Sequence, residues 1–265
     1  MFVGDTVDDI EAESWITEKP DLSSGKYIIH FWTPSCLRCH TEVEILAEIA
    51  KHRDIQILVL NTPRYEFEDQ EYLEGMLENK NITCFAAHEP QANKWRSEHT
   101  PKKIIIQDGE IKYHSTGDHK LTGLEKPLEI KTTLETPHTS EEKYLGLKNS
   151  GITPEQRFYG EKEVEETKTY RKISLSGRWL QGENFIESKG ENSSLTFTTD
   201  KTELYATVDP KESIRDIQIT VDGELDRQVR VKQPGITNLM SLNEGRSHVE
   251  LDAEEGLRLY KIDLA

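Results

Sequence analysis

Three cysteines in 265 residues are too few for a disulfide framework. No stretch approaches the ~20 consecutive apolar residues of a membrane-spanning helix. Basic residues are outnumbered, 33 Lys and Arg against 49 Asp and Glu, leaving a formal net charge of −16. No basic stripe offsets that field, so phosphate backbones are repelled and nucleic acid is excluded as a partner. The first residues, with Asp5, Asp8, Asp9 and Glu11 and no apolar core, do not read as a secretory signal. A cytoplasmic location with no membrane span is the expectation. The second half of the chain shows no internal repeats and no metal cluster. What remains is a solvated globular chain, long enough for two domains with their own cores.

The organising stretch is Tyr27-Ile28-Ile29-His30-Phe31-Trp32-Thr33-Pro34-Ser35-Cys36-Leu37-Arg38-Cys39-His40. Its apolar, β-branched and aromatic start predicts a buried strand, broken at Thr33-Pro34-Ser35. Val43, Leu46, Ala47 and Ala50 then follow helical spacing, as one face of an amphipathic helix. Cys36 and Cys39 therefore stand where a strand ends and a helix begins. Unpaired N–H groups of a first helical turn favour a thiolate on Cys36, and Cys39 can resolve a mixed disulfide formed there. Other readings stay open. Cys36-Leu37-Arg38-Cys39-His40 fits c-type haem attachment, a zinc site would need ligands beyond Cys84, and two buried thiols can be inert. Peroxide reduction is weaker, because no Pro-x-x-x-Thr/Ser-x-x-Cys pattern surrounds either cysteine.

Phe31-Trp32-Thr33-x-Ser35-Cys36-x-x-Cys39 resembles the thioredoxin superfamily, in particular its TlpA/DipZ type. Trp15, the run Asn61-Thr62-Pro63-Arg64-Tyr65-Glu66-Phe67-Glu68, Trp95 and Thr100-Pro101 extend the likeness over the first half of the chain. The resemblance implies an α/β thioredoxin fold and thiol–disulfide exchange without an organic cofactor. It implies Cys36 as nucleophile, Cys39 as resolving thiol, and Pro101 as a cis-proline facing the dithiol. Protein disulfides or dithiols would be the substrates, with an electron donor that the residues do not name. Three departures bear on mechanism. Glu44 replaces a proline that would kink the helix. Arg38 stands between the cysteines, where a guanidinium favours the Cys36 thiolate. His30 occupies the place of a buried acid, and an imidazole titrating near neutrality could take the Cys39 proton; the bland alternative is a hydrogen-bonded core histidine.

Along the chain, Asp9 to Trp15 reads as a short helix, Ile55 to Leu60 as a strand, and Phe67 to Lys80 as a helix. Ile82 to Ala87 reads as a strand and Pro90 to His99 as a helix. Lys103 to His114 is a hairpin about Asp108-Gly109, and Leu121 to Thr132 a closing helix. These make a domain over 1–132. The Glu- and Lys-rich stretch 133–170 reads as a connector. From 171 to 265 short alternating strands predict an all-β sandwich. With Gly177-Arg178-Trp179 near its start, it resembles the jelly-roll, carbohydrate-binding-module-like domain appended to DipZ-type proteins. Trp179 itself reads as core more than as a sugar platform. A competing function follows, in which the sandwich recruits a partner or glycan and the dithiol is minor.

Overall fold

The computed structural model describes residues 2–7, 9–51, 54–80, 85–88, 101–116, 121–129, 141–145, 152, 156–165 and 172–265. The chain divides into two compact units, Met1–His138 and Thr139–Ala265.

The first unit is an α/β structure on a sheet with strand order β1-β4-β3-β2-β5-β6. Its strands are β1 (Ser14–Trp15), β2 (Lys26–Trp32), β3 (Gln56–Asn61), β4 (Phe85–His88), β5 (Lys102–Gln107) and β6 (Glu110–Thr116). Helix α1 (Leu37–Lys51) connects β2 to its parallel neighbour β3, and α2 (Gln70–Lys80) connects β3 to the parallel β4. The continuous burial of β2 from Tyr27 to Trp32, interrupted in apolar character only by His30, is explained by cover on both faces. Ile28 and Trp32 share a core with Cys39, Val43, Leu46 and Ala47 of α1. Tyr27, Ile29 and Phe31 point the other way, into a second core with Val7, Ile10, Leu22, Ile104 and Ile106. The β5–β6 hairpin turns through Asp108 and Gly109, both in the left-handed region at φ 50° and 75°. Asp-Gly is the pair such a turn demands.

Two expectations are corrected here. Asp9 to Trp15 forms no helix; Ser14 and Trp15 pair instead with Ala87 and His88 on the edge of β4. So short a segment gains little from helical bonds, and an open strand edge supplies partners directly. Leu121 to Thr132 is not one helix. A 3-10 turn, Leu121–Leu124, precedes a four-residue α3, Glu125–Leu128. Pro127 removes a backbone donor, while Leu121, Leu124 and Leu128 still bury in the α1 core. Glu44 sits exposed in an α1 that runs through it without interruption. The expected helix at Pro90 to His99, Trp95 and Cys84 lie outside the described residues.

The second unit is all-β, and its named strands pair antiparallel. Its strands are β7 (Glu141–Tyr144), β8 (Gly160–Val164), β9 (Ser174–Gln181), β10 (Ile186–Ser188), β11 (Ser194–Thr199), β12 (Glu203–Asp209), β13 (Arg215–Val221), β14 (Glu224–Val231), β15 (Gly235–Ser241), β16 (Ser247–Ala253) and β17 (Arg258–Leu264). The hydrogen-bonded path runs β14-β13-β16-β11-β9-β10-β17-β12-β15, with β7 on β17 and β8 on β9. The stretch read as a connector thus supplies two strands, and Leu145, Ile152 and Val164 enter the core of this unit. Backbone ladders need no apolar side chains, so Glu- and Lys-rich segments can pair with a neighbour that supplies the core. Trp179 is fully buried, with Nε1 donating to the Ser176 carbonyl at 2.8 Å. Gly177 adopts φ 84°, and a Cβ there would run into the Asn192 carbonyl. Glycine is required at that crossing.

Candidate functional site

Strand β2 delivers the chain to a tight loop, Thr33 to Ser35, and α1 begins one residue after Cys36. Cys36 and Cys39 are joined in a disulfide with Cα atoms 5.2 Å apart. Cys36 is 4% exposed and Cys39 0%. The Cys39 N–H points at Cys36 Sγ (3.2 Å), so the first turn of α1 aims a donor at that sulfur.

The loop before Cys36 is held by a residue to which the sequence reading gave no role. Glu68, fully buried, accepts hydrogen bonds from Thr33 Oγ1 (2.9 Å), Ser35 N–H (2.7 Å) and Tyr65 N–H (2.9 Å), and from Arg64 N–H. Asn61 Nδ2 donates to the Glu68 carbonyl (3.0 Å), and Thr62 bonds the Trp32 carbonyl through both its N–H (2.7 Å) and its hydroxyl (3.0 Å). The run Asn61 to Glu68 is therefore a clamp on the dithiol loop. His40 adds a donation from Nε2 to the Pro34 carbonyl (2.6 Å).

Beneath the dithiol lies a buried polar triad drawn from three elements. His30 on β2 pairs across the sheet with Lys103 on β5, and Glu42 comes down from α1. Lys103 Nζ meets Glu42 Oε2 at 2.5 Å, and His30 Nδ1 lies 4.0 Å from the same oxygen. Among the described residues neither ring nitrogen of His30 has a side-chain hydrogen-bond partner. Burial, reinforced by the Lys103 ammonium, pushes the His30 pKa down to about 3; the nearby Cys39 backbone opposes this only in part. Burial thus favours the neutral imidazole, away from the near-neutral titration expected of His30. Burial raises the Glu42 carboxyl and lowers the Lys103 ammonium, while each attracts the other's charged form. Desolvation brings the two proton affinities closer together, as a proton relay needs.

Arg38 is half-buried, and its charge acts on both Glu42 and Lys103. Pro101 is buried immediately before β5. The register Phe31 to Lys102 places it at the end of the sheet from which β2 leads to Cys36. Thr100, and with it the isomer of the Thr100–Pro101 bond, lies outside the described residues. Glu42 and Lys103 were missed in the sequence, yet both left a signal. Glu42 falls three residues after Cys39 and four before Leu46, on the buried stripe, and Lys103 abuts an isoleucine run. Among the described residues no three His, Cys, Asp or Glu side chains come together to hold a metal, and no helix is long and apolar enough to cross a membrane.

Residues 140–262 match the family model described as the thioredoxin-like C-terminal domain. No curated protein matches the chain. A thioredoxin-like protein solved in the oxidized form is 17% identical, with 49% of this chain and 95% of that one covered at a TM-score of 0.44. A thiol-disulfide isomerase from Corynebacterium glutamicum is 16% identical over 51% of this chain and 98% of its own, at 0.42. A family two carbohydrate esterase from Clostridium thermocellum, solved with cellohexaose, is 21% identical over 31% and 27%, at 0.29. Likenesses of this size bear on neither activity nor ligand.

Proposed function

We propose that the protein is a thiol–disulfide oxidoreductase of the TlpA/DipZ type, acting on protein disulfides in the cytoplasm through Cys36 and Cys39. The carrying observation is the Cys36–Cys39 pair at the start of α1, with the Cys39 N–H directed at Cys36 Sγ. The Cys36 thiolate attacks one sulfur of a substrate disulfide, and the other substrate sulfur leaves as a thiolate. Cys39, once deprotonated, attacks Cys36 Sγ, releasing the second substrate thiolate and closing the disulfide. Two electrons pass from the dithiol to the substrate. Arg38 favours the Cys36 thiolate electrostatically. Pro101 borders the backbone edge on which an extended substrate would lie. Glu42, one helical turn beyond Cys39 and tuned by burial against Lys103, takes the Cys39 proton, the role the sequence had offered to His30. In this reading the second unit is the jelly-roll-like sandwich of DipZ-type proteins.

Insulin reduction with dithiothreitol tests this. The wild type accelerates the reaction, Cys36→Ser does not, and Cys39→Ser accumulates the mixed disulfide. Glu42→Gln slows release of that species while attack by Cys36 is nearly unchanged. A wild type no faster than Cys36→Ser would leave the dithiol without this function.

A further inference from the structure

The second unit carries a groove of about 1090 Å³ that the dithiol chemistry does not use. Its floor is the polar face of five adjacent strands. Gln228, Gln218, Asp252, Ser194 and Ser176 stand in one register across β14, β13, β16, β11 and β9, and all five line the groove. Four inter-strand spacings make this row about 19 Å long. The floor therefore suits an extended ligand more than a compact one.

Its charges are unevenly satisfied. Both cations of the lining are already paired, Lys189 with Glu187 at 2.6 Å and Arg215 with Glu254 at 3.4 Å. Glu250 and Asp252, two residues apart on the same face of β16, have no ion-pair or hydrogen-bond partner among the described residues. Burial and the neighbouring Glu250 charge hold the Asp252 carboxyl above its ordinary range. Between these strands Ser194 is only 6% exposed, and its hydroxyl also lacks a partner among the described residues. A hydroxyl held at the groove floor and two half-buried carboxylates without a cation offer an acceptor set that a ligand with amine donors would fill. An anion would be repelled. The described residues offer no three-ligand cluster for a metal ion. No aromatic side chain lines the groove to give a sugar ring a flat apolar face.

We propose that this groove binds an extended organic cation, a chain bearing protonated amines that sets one charge between Glu250 and Asp252 and hydrogen-bonds to Ser194 and Gln218. Free polyamines and basic peptide segments share that chemistry.

Calorimetric titration of the full chain at low ionic strength, with spermine and with an alternating lysine–glycine peptide, tests the site and separates the sources. At least one probe binds. The double variant Glu250→Gln/Asp252→Asn weakens it by about tenfold or more. Ser194→Ala weakens it about fivefold with no change of net charge. The control Glu212→Gln/Glu244→Gln removes the same charge from exposed positions outside the groove and leaves affinity within about twofold. Thermal melts of each variant establish that it is folded. Equal weakening in the control, which would mean attraction to the overall negative charge only, overturns the proposal. So does failure of both probes to bind, or cellohexaose binding that survives the double variant.

Discussion

Each unit buries one glutamate against cations, and the two are handled in opposite ways. Glu42 in the first unit has one lysine, itself fully buried, and its carboxyl is raised by burial despite that contact. Glu187 in the second is met by three cations: Lys189 (2.6 Å), Lys211 (2.7 Å) and Arg258 (2.9 Å). Burial alone would raise Glu187 too, but these hydrogen bonds hold it down to about 2. The three cations keep contact with water, so their own desolvation is partial. One arrangement fixes a permanent charge that ties β10 to its neighbours. The other leaves a carboxyl close to exchanging its proton beside a dithiol. Abundant compensation suits architecture, and scarce compensation suits chemistry.

The largest expected effect that would sharpen this contrast lies in the acid limb of stability. The folded-state pKa of His30 is depressed from 6.5 to about 3. Between those values the unfolded chain binds more protons, so His30's contribution is fully present above pH 6.5 and is lost as pH falls toward 3. Over the whole window that is on the order of 5 kcal/mol. Glu42, whose carboxyl is raised, works in the opposite sense, so the net loss is smaller. Denaturant melts of wild type and His30→Leu from pH 7 to pH 4 isolate the histidine. The variant should show the flatter acid limb; parallel limbs would mean that His30 is protonated inside the fold.

Next in size is Lys103→Met. It leaves the Glu42 carboxylate buried without its partner, at a cost of about 3–5 kcal/mol. Replacing both members, in Glu42→Leu/Lys103→Met, should restore stability to within about 1 kcal/mol of wild type. The double variant should still resolve its mixed disulfide slowly. A double variant as unstable as the single, or one with unimpaired resolution, would remove the functional half of the contrast.

Much of the first unit was legible because its signals are local. The alternation of Ile28, His30 and Trp32 against Tyr27, Ile29 and Phe31 shows two covered faces, and Asp108-Gly109 specifies its turn by conformation alone. The triad was not legible, because Glu42 and Lys103 lie 61 residues apart and nothing local announces that their side chains meet. Glu68 stands in a motif that could be quoted, yet its four donors are contributed by a different loop and by its own turn. The strands at 141–144 and 160–164 escaped for another reason. Their pairing is a backbone matter settled by β17 and β9, while their composition is that of a solvated linker.

The smallest effect is expected at Glu187. Glu187→Gln keeps the shape and an acceptor oxygen but removes the charge that three cations share. Lys189, Lys211 and Arg258 can each turn further toward water, with side chains 28%, 37% and 22% exposed. None is stranded as Glu42 would be without Lys103. The cost should therefore be about 1–2 kcal/mol, below that of Lys103→Met. The pH signature has a definite sign. A carboxyl held down to about 2 stabilises the fold fully above its ordinary value of 4.5 and loses that contribution as pH falls toward 2. Glu187→Gln should therefore match wild type more closely in the acid than at pH 7. Insulin reduction should be unchanged, since the residue belongs to the second unit and the proposed chemistry to the first. A loss as large as that of Lys103→Met would show the partial hydration of the three cations to be unimportant, and the contrast between the two glutamates would fail.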